Sequence, residues 1–289
     1  MFNRELSPLG KLLAIILCLC LGFLLNTLVI GILHRYMQDG VAHKLLLVLS
    51  SVMSFGLPAL LAAKLIGNDE SQFHFLGMTE NPRITRSLLA IVLVISIMPA
   101  IEFISALNSS YSFPESLKDL EEYLRAADNR VMQATQNALA CNEFGTYLLN
   151  LIALAIMPAI CEEMFFRGVL QKHLVNTLKN KHFAILLTAI IFSAVHLQFS
   201  GFLPRLILGA VLGYLFYYTG SLWLSVIAHA TNNALVVSVV FFFDANISTT
   251  HDISFFADPK WIGLILIGLA IAVLVGKAIF NNDILGKNN

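Results

Sequence analysis

The chain has 289 residues, 57% of them hydrophobic and 12% charged, with a mean hydropathy of +0.78. This composition excludes a soluble globular domain and a disordered chain, and points to a polytopic membrane protein. Lys plus Arg and Asp plus Glu are equal at 18 each, so no net charge argues for nucleic acid as a partner. The partners expected are the lipid bilayer and whatever the chain handles there.

A membrane span needs about 20 apolar residues. Eight runs qualify or come close: 12–33, 45–66, 87–107, 144–170, 183–199, 202–218, 222–243 and 261–280. They are apolar all round instead of alternating, which argues for helices over barrel strands. The expected fold class is therefore all-α, a polytopic transmembrane helix bundle of about eight spans. The first run is longer than a signal-peptide core and has no small-residue cleavage pattern behind it, so it reads as a retained anchor. Cys18, Cys20, Cys141 and Cys161 lack metal-finger spacing and suggest no disulfide framework.

Between the third and fourth runs, residues 114–142 are polar. Pro114 suits a first helical turn, and Leu117, Leu120, Leu124 and Val131 recur at helical spacing. An interfacial amphipathic helix is expected there, serving equally well as a solvated linker or as a lid. The chain divides into 1–143 (N-terminal helices plus this segment), 144–243 (a core carrying the chemistry) and 244–289 (a loop and the last helix). The distribution of Lys and Arg among the loops favours cytoplasmic termini.

Ionisable side chains at membrane depth cost about 2.5–3.5 kcal/mol each and are functional candidates by default. The fourth run carries Glu162, Glu163 and Arg167. Glu163 and Arg167 are four apart and share a helix face, whereas Glu162 is rotated from Glu163 by about 100°. One carboxylate thus has a counter-ion and its neighbour is left as a candidate base, a division that recurs in acid–base sites. The fifth run adds His196, and the seventh adds His229 and Asn233, again four apart. Glu162 and His196 each lie 17 residues from Lys179, which in antiparallel helices puts both about 25 Å from that turn. Gly209 and Gly213 form a GxxxG pattern, expected to draw the fifth and seventh runs together around the sixth. His34, His43, His74, His173, His182 and His251 fall in loops or at helix ends and read as solvated. There is no HExxH, GxSxG elbow or Walker A loop, so the sequence gives no support to a zincin, an α/β-hydrolase or a P-loop ATPase.

The ordered set Glu162-Glu163-Met-Phe-Phe-Arg167, Phe192 to His196, and His229 to Asn233 resembles the EExxxR, FxxxH and HxxxN motifs of the CPBP family, the CAAX prenyl protease and bacteriocin-processing intramembrane peptidases. The resemblance covers about residues 144–243. It implies an intramembrane endopeptidase acting on a membrane-associated or lipidated peptide, in a bacterial cell membrane on the family's distribution. It also implies roles: Glu162 as the base that activates water, His196 holding that water, and His229 with Asn233 stabilising the oxyanion. Glu163, Arg167 and Phe192 support them. No cofactor is expected; the alternative is zinc held by Glu162, His196 and His229. Two other readings stay open, a proton-coupled transporter using the intramembrane Glu and His as a relay and a non-catalytic immunity-type membrane protein.

Overall fold

The computed structural model describes residues 6–37, 40–67, 71–141, 143–246 and 253–280. Asn142, His251 and parts of the expected last segment (247–252 and 281–289) lie outside the described residues. The helices longer than two turns are α1 (Pro8–Leu33), α2 (Gly40–Ile66), α3 (Ile84–Ser110), α4 (Lys118–Leu139), α5 (Phe144–Leu178), α6 (Lys181–Ala194), α7 (Phe202–Thr219), α8 (Leu222–Phe243) and α9 (Pro259–Phe280). Among the described residues there is no strand, and all four cysteines are free. The molecule is an all-α, multi-pass membrane bundle.

Among the described residues seven helices, all of those named but α4 and α6, are long and apolar enough to cross a membrane. The expected fifth span, 183–199, is the one that differs. It forms a helix of only 14 residues, about 21 Å long against a hydrocarbon core of about 30 Å. Asn180 starts it by accepting the N–H groups of His182 and Phe183 at 3.1 Å each. It stops at Ala194, and the chain turns through 195–201 before α7 begins. Leu197 takes a left-handed backbone, φ 52°, which no continuing helix can contain. His196 therefore stands just beyond the end of a short helix, not inside a long one.

Prolines shape the two long helices. Pro58 and Pro158 cannot donate to the carbonyl four residues back, and π-helical stretches Val52–Gly56 in α2 and Leu151–Ile156 in α5 end just before them. A third π stretch, Met164–Gln171, contains no proline and is wholly buried. It begins directly after Glu163, and π segments gather at functional sites.

Packing puts α5 among α2, α6 and α8. One apolar cluster joins Ile15 and Cys18 of α1, Ala59 to Ile66 of α2, and Phe165, Phe166 and Val169 of α5. A second joins α3, α7, α8 and α9 through Leu93, Ile97, Leu212, Leu224 and Ile279. Many Leu, Ile and Val side chains point outward, such as Leu17, Leu88 and Leu274, as befits surfaces solvated by lipid.

The helix α4 presents three sectors. Glu121, Leu124, Arg125, Asp128, Met132, Thr135 and Leu139 turn toward the protein; Leu117 just before it, Leu120, Tyr123 and Val131 form an exposed apolar edge; charged residues fill the rest. Its last carbonyls are capped from other helices: Lys44 of α2 donates to Ala138 O, and Asn150 of α5 donates to Leu139 O at 2.8 Å. At its first turn Glu121 accepts Phe113 N–H at 2.9 Å and Arg125 Nε at 2.7 Å. The Phe113 N–H, followed by Arg125, holds the Glu121 carboxyl below the usual carboxylate range.

Candidate active site

The π stretch of α5, the end of α6 and the middle of α8 meet around Phe192. This ring is 1% exposed. The Arg167 guanidinium lies over its face at 4.7 Å, where the ring's negative quadrupole favours a cation. The rings of His196, His229 and Phe166 meet it edgewise, with centroids 5.2, 5.7 and 5.1 Å away.

Glu163 and Arg167 are fully buried and paired, Nη1 to Oε1 at 2.8 Å. The same Oε1 accepts His229 Nδ1 at 2.9 Å. A carboxylate held by arginine only accepts, so Nδ1 carries a proton and Nε2 is the ring nitrogen left for chemistry. His196 is oriented alike. Its Nδ1 donates to the Phe192 carbonyl at 2.8 Å, leaving Nε2 facing Glu162.

Glu162 is 9% exposed. Its Oε2 has no hydrogen-bond partner among the described residues, and it stands 3.8 Å from His229 Nε2 and 4.0 Å from His196 Nε2. Both gaps exceed a direct hydrogen bond, and over such a gap two polar groups meet through a water and not directly. Ligands on a tetrahedral zinc at about 2.0 Å stand about 3.3 Å apart, closer than these donors. Among the described residues no three His, Cys, Asp or Glu side chains are grouped to hold a metal ion.

Asn233 lies one turn beyond His229 on α8 and is half-buried. Its amide oxygen accepts Asn232 Nδ2 at 3.1 Å, which leaves its own N–H2 group available. The structure thus brings Glu162, Glu163, Arg167, Phe192, His196 and His229 into one cluster, with Asn233 at its edge.

Several features were not foreseen. The glycines of α7 face α5 and α6, not α6 and α8. Gly209 O accepts Arg167 Nη2 and Gly213 O accepts Gln171 Nε2, both at 2.9 Å. A Cβ on Gly209 would lie 3.2 Å from Ala189 Cβ and Phe192 Cδ1, so glycine lets the backbone come near enough to receive the arginine. Equal spacing of Arg167 and Gln171 with Gly209 and Gly213 was a readable signal for this double rung. His173, expected to be solvated, is buried because α5 continues to Leu178. His182 Nδ1 pairs with Tyr214 Oη at 2.8 Å.

No curated protein and no solved structure matches the chain. A family model does: residues 144–235 match the Rce1-like family, described as type II CAAX prenyl endopeptidase Rce1-like. The match spans all seven candidate residues, from Glu162 to Asn233, and so this multi-pass membrane protein carries a domain of the Rce1-like family of CAAX-type membrane endopeptidases.

Proposed function

We propose that the chain hydrolyses a peptide bond in a lipidated or membrane-associated peptide, with water activated by Glu162. The observation that carries this reading is the buried, unpartnered Oε2 of Glu162 flanked by two histidine Nε2 atoms at 3.8 and 4.0 Å. A water shared by Glu162 and His196 donates one proton to the carboxylate and one hydrogen bond to the free Nε2 of His196, leaving a lone pair for the scissile carbonyl.

Attack forms the carbon–oxygen bond while the water proton passes to Glu162. The oxyanion is met by His229 Nε2–H, in a ring whose other nitrogen is bonded to the Glu163 carboxylate, and by the Asn233 amide. With His229 as imidazolium, Glu162, Glu163, Arg167 and His229 sum to zero charge, which suits a buried site. Collapse breaks the carbon–nitrogen bond, and the leaving amine takes the proton back from Glu162. Arg167 fixes Glu163, and Phe192 holds both imidazoles by their edges. A non-titrating amide one turn from His229 fits an oxyanion site better than a proton relay, and this favours a peptidase over a carrier.

The test uses purified full-length protein in detergent with a quenched fluorogenic farnesylated peptide ending in a CAAX sequence, beside its unprenylated form and a peptide library. Glu162→Ala and His196→Ala are expected to lower turnover by about 100-fold or more, and chelator to leave the wild-type rate unchanged. Equal cleavage by wild type and Glu162→Ala would sink the assignment. Loss of cleavage on chelation, restored by zinc, would instead make Glu162, His196 and His229 ligands.

A further inference from the structure

The chemistry above uses α5, α6 and α8, yet α4 sends a carboxylate into the wall of the same site. Asp128, 5% exposed, accepts the Phe199 N–H on Oδ1 at 2.9 Å and the Ser200 N–H on Oδ2 at 2.8 Å, together with the Ser200 hydroxyl. From α3, buried Asn108 donates Nδ2 to the carbonyls of Phe199 and Ser200 at 2.8 and 2.9 Å. The donors and acceptors of Phe199 and Ser200 are thus taken by side chains of two other helices. On the far side of the same turn, Arg205 of α7 donates Nη1 to Gln198 Oε1 at 2.6 Å.

This turn follows His196 directly, and it needs such support. The N–H groups of Phe199 and Ser200 go to a side chain and not into a helix or strand, and Leu197, with φ 52° and an exposed side chain, holds a backbone conformation unfavourable to a residue with a Cβ. His196 sits past the last turn of α6, so its ring direction follows the path of the chain after it. Its other described ties are Nδ1 to Phe192 O, N–H to Ser193 O at 3.3 Å, the T-shaped contact with Phe192 and the 4.0 Å approach of Nε2 to Glu162.

We propose that Asp128, assisted by Asn108, is a positioning residue for His196. By clamping Phe199 and Ser200 it fixes the turn that aims His196 Nε2 at Glu162, which makes the surface helix α4 part of the catalytic apparatus and not a linker. The proposal rests on the reading of His196 as the residue that holds water.

The experiment takes full-length protein carrying Asp128→Ala, Asp128→Asn, Asn108→Ala or Ser200→Ala, assayed on the farnesylated CAAX peptide, with thermal melts. Asp128→Ala is expected to lower kcat at least about thirtyfold, the scale of a displaced catalytic group, with KM within about threefold. Asn108→Ala should fall between it and Ser200→Ala, which loses only the hydroxyl bond. Asp128→Asn keeps an oxygen for Phe199 but turns an amide N–H2 against the Ser200 N–H, and should be nearly as damaging as Asp128→Ala. A second readout is independent of turnover: the ring signals of His196 in histidine-labelled Glu162→Gln protein, assigned with His196→Gln. Combining that background with Asp128→Ala is expected to broaden or move these signals while those of His229 stay put.

Melts and kcat like wild type in Asp128→Ala and Asn108→Ala overturn the proposal, as does a fall in kcat with the His196 signals unmoved. Should Asp128→Ala fail to fold, Asn108→Ala and Ser200→Ala decide in the same way. Should the wild type cleave neither this peptide nor the library, the peptidase reading fails by itself, and the His196 signals alone decide whether Asp128 positions the ring.

Discussion

Phe192 touches Arg167 with its face and the two histidines in T-shaped contacts, so one ring sets the mutual orientation of three polar groups from three segments of the chain. Its aliphatic replacement separates packing from orientation. Phe192→Leu keeps most of the apolar volume and is expected to cost less than about 1.5 kcal/mol of stability. It removes the flat surface and the quadrupole, so turnover should fall more than about tenfold, about 1.4 kcal/mol in barrier. Parallel melts and kcat values check this; a turnover loss no larger than the stability change accounts for would make Phe192 ordinary packing. The adjacent glutamates show how far residue-level reasoning reaches. Four-residue spacing was enough to assign Arg167 to Glu163. That the same Oε1 also takes His229 Nδ1 was invisible, because a contact between residues 66 apart depends on how α8 is rotated against α5.

Boundaries of the long apolar runs were legible because lipid demands an unbroken apolar stretch, and 222–243 coincides with α8. What the runs concealed was the interior of each helix. The π stretch Met164–Gln171 has no composition signal, and α6 reads as a full span since Val195, Leu197 and Phe199 continue its apolar character past the point where the helix stops. Gly209 and Gly213 test the element scale directly. A Cβ on Gly213 would lie 2.7 Å from Gln171 Oε1 and 2.8 Å from Ile185 Cγ2, a distance at which neighbours must move. Gly213→Ala is therefore expected to destabilise by about 1–3 kcal/mol with kcat little changed, since Gln171 lies one turn from Arg167 on the side away from Glu162. Gly209→Ala presses on Phe192 and should lower kcat as well. Equal effects of the two on kcat, measured beside melts in one detergent, would show that the double rung is not ordered as described.

All of the proposed chemistry falls in residues 144–235, but the side chains that brace it do not. Phe55 of α2 packs on Phe165 and Phe166, with ring centroids 6.3 and 5.5 Å away. Gly56 is close enough to Cys161 that a Cβ there would lie 3.1 Å from Sγ. The loop after α2 seals the other end of the core, where Leu76 is fully buried, Gly77 O accepts Leu222 N–H at 3.0 Å and Met78 O accepts Trp223 Nε1 at 2.8 Å. Asn108 and Asp128 brace the turn after His196. The motifs mark the residues of the proposed chemistry, and their spacing carries no information about these braces, which join neutral backbone groups to side chains far away in the chain. Removing residues 1–143 would expose Phe165, Phe166 and the apolar side of α5 while orphaning the polar groups of the turn, each a recognised source of large destabilisation. A fragment of residues 144–243 in detergent is therefore expected to stay helical by circular dichroism yet to melt without cooperativity and to leave the farnesylated peptide uncut. Co-expression with residues 1–143 should restore both properties, because the two parts hold each other by packing and hydrogen bonds that can form between separate chains. A fragment that melts cooperatively within a few degrees of the whole chain would show instead that the N-terminal helices serve only the membrane.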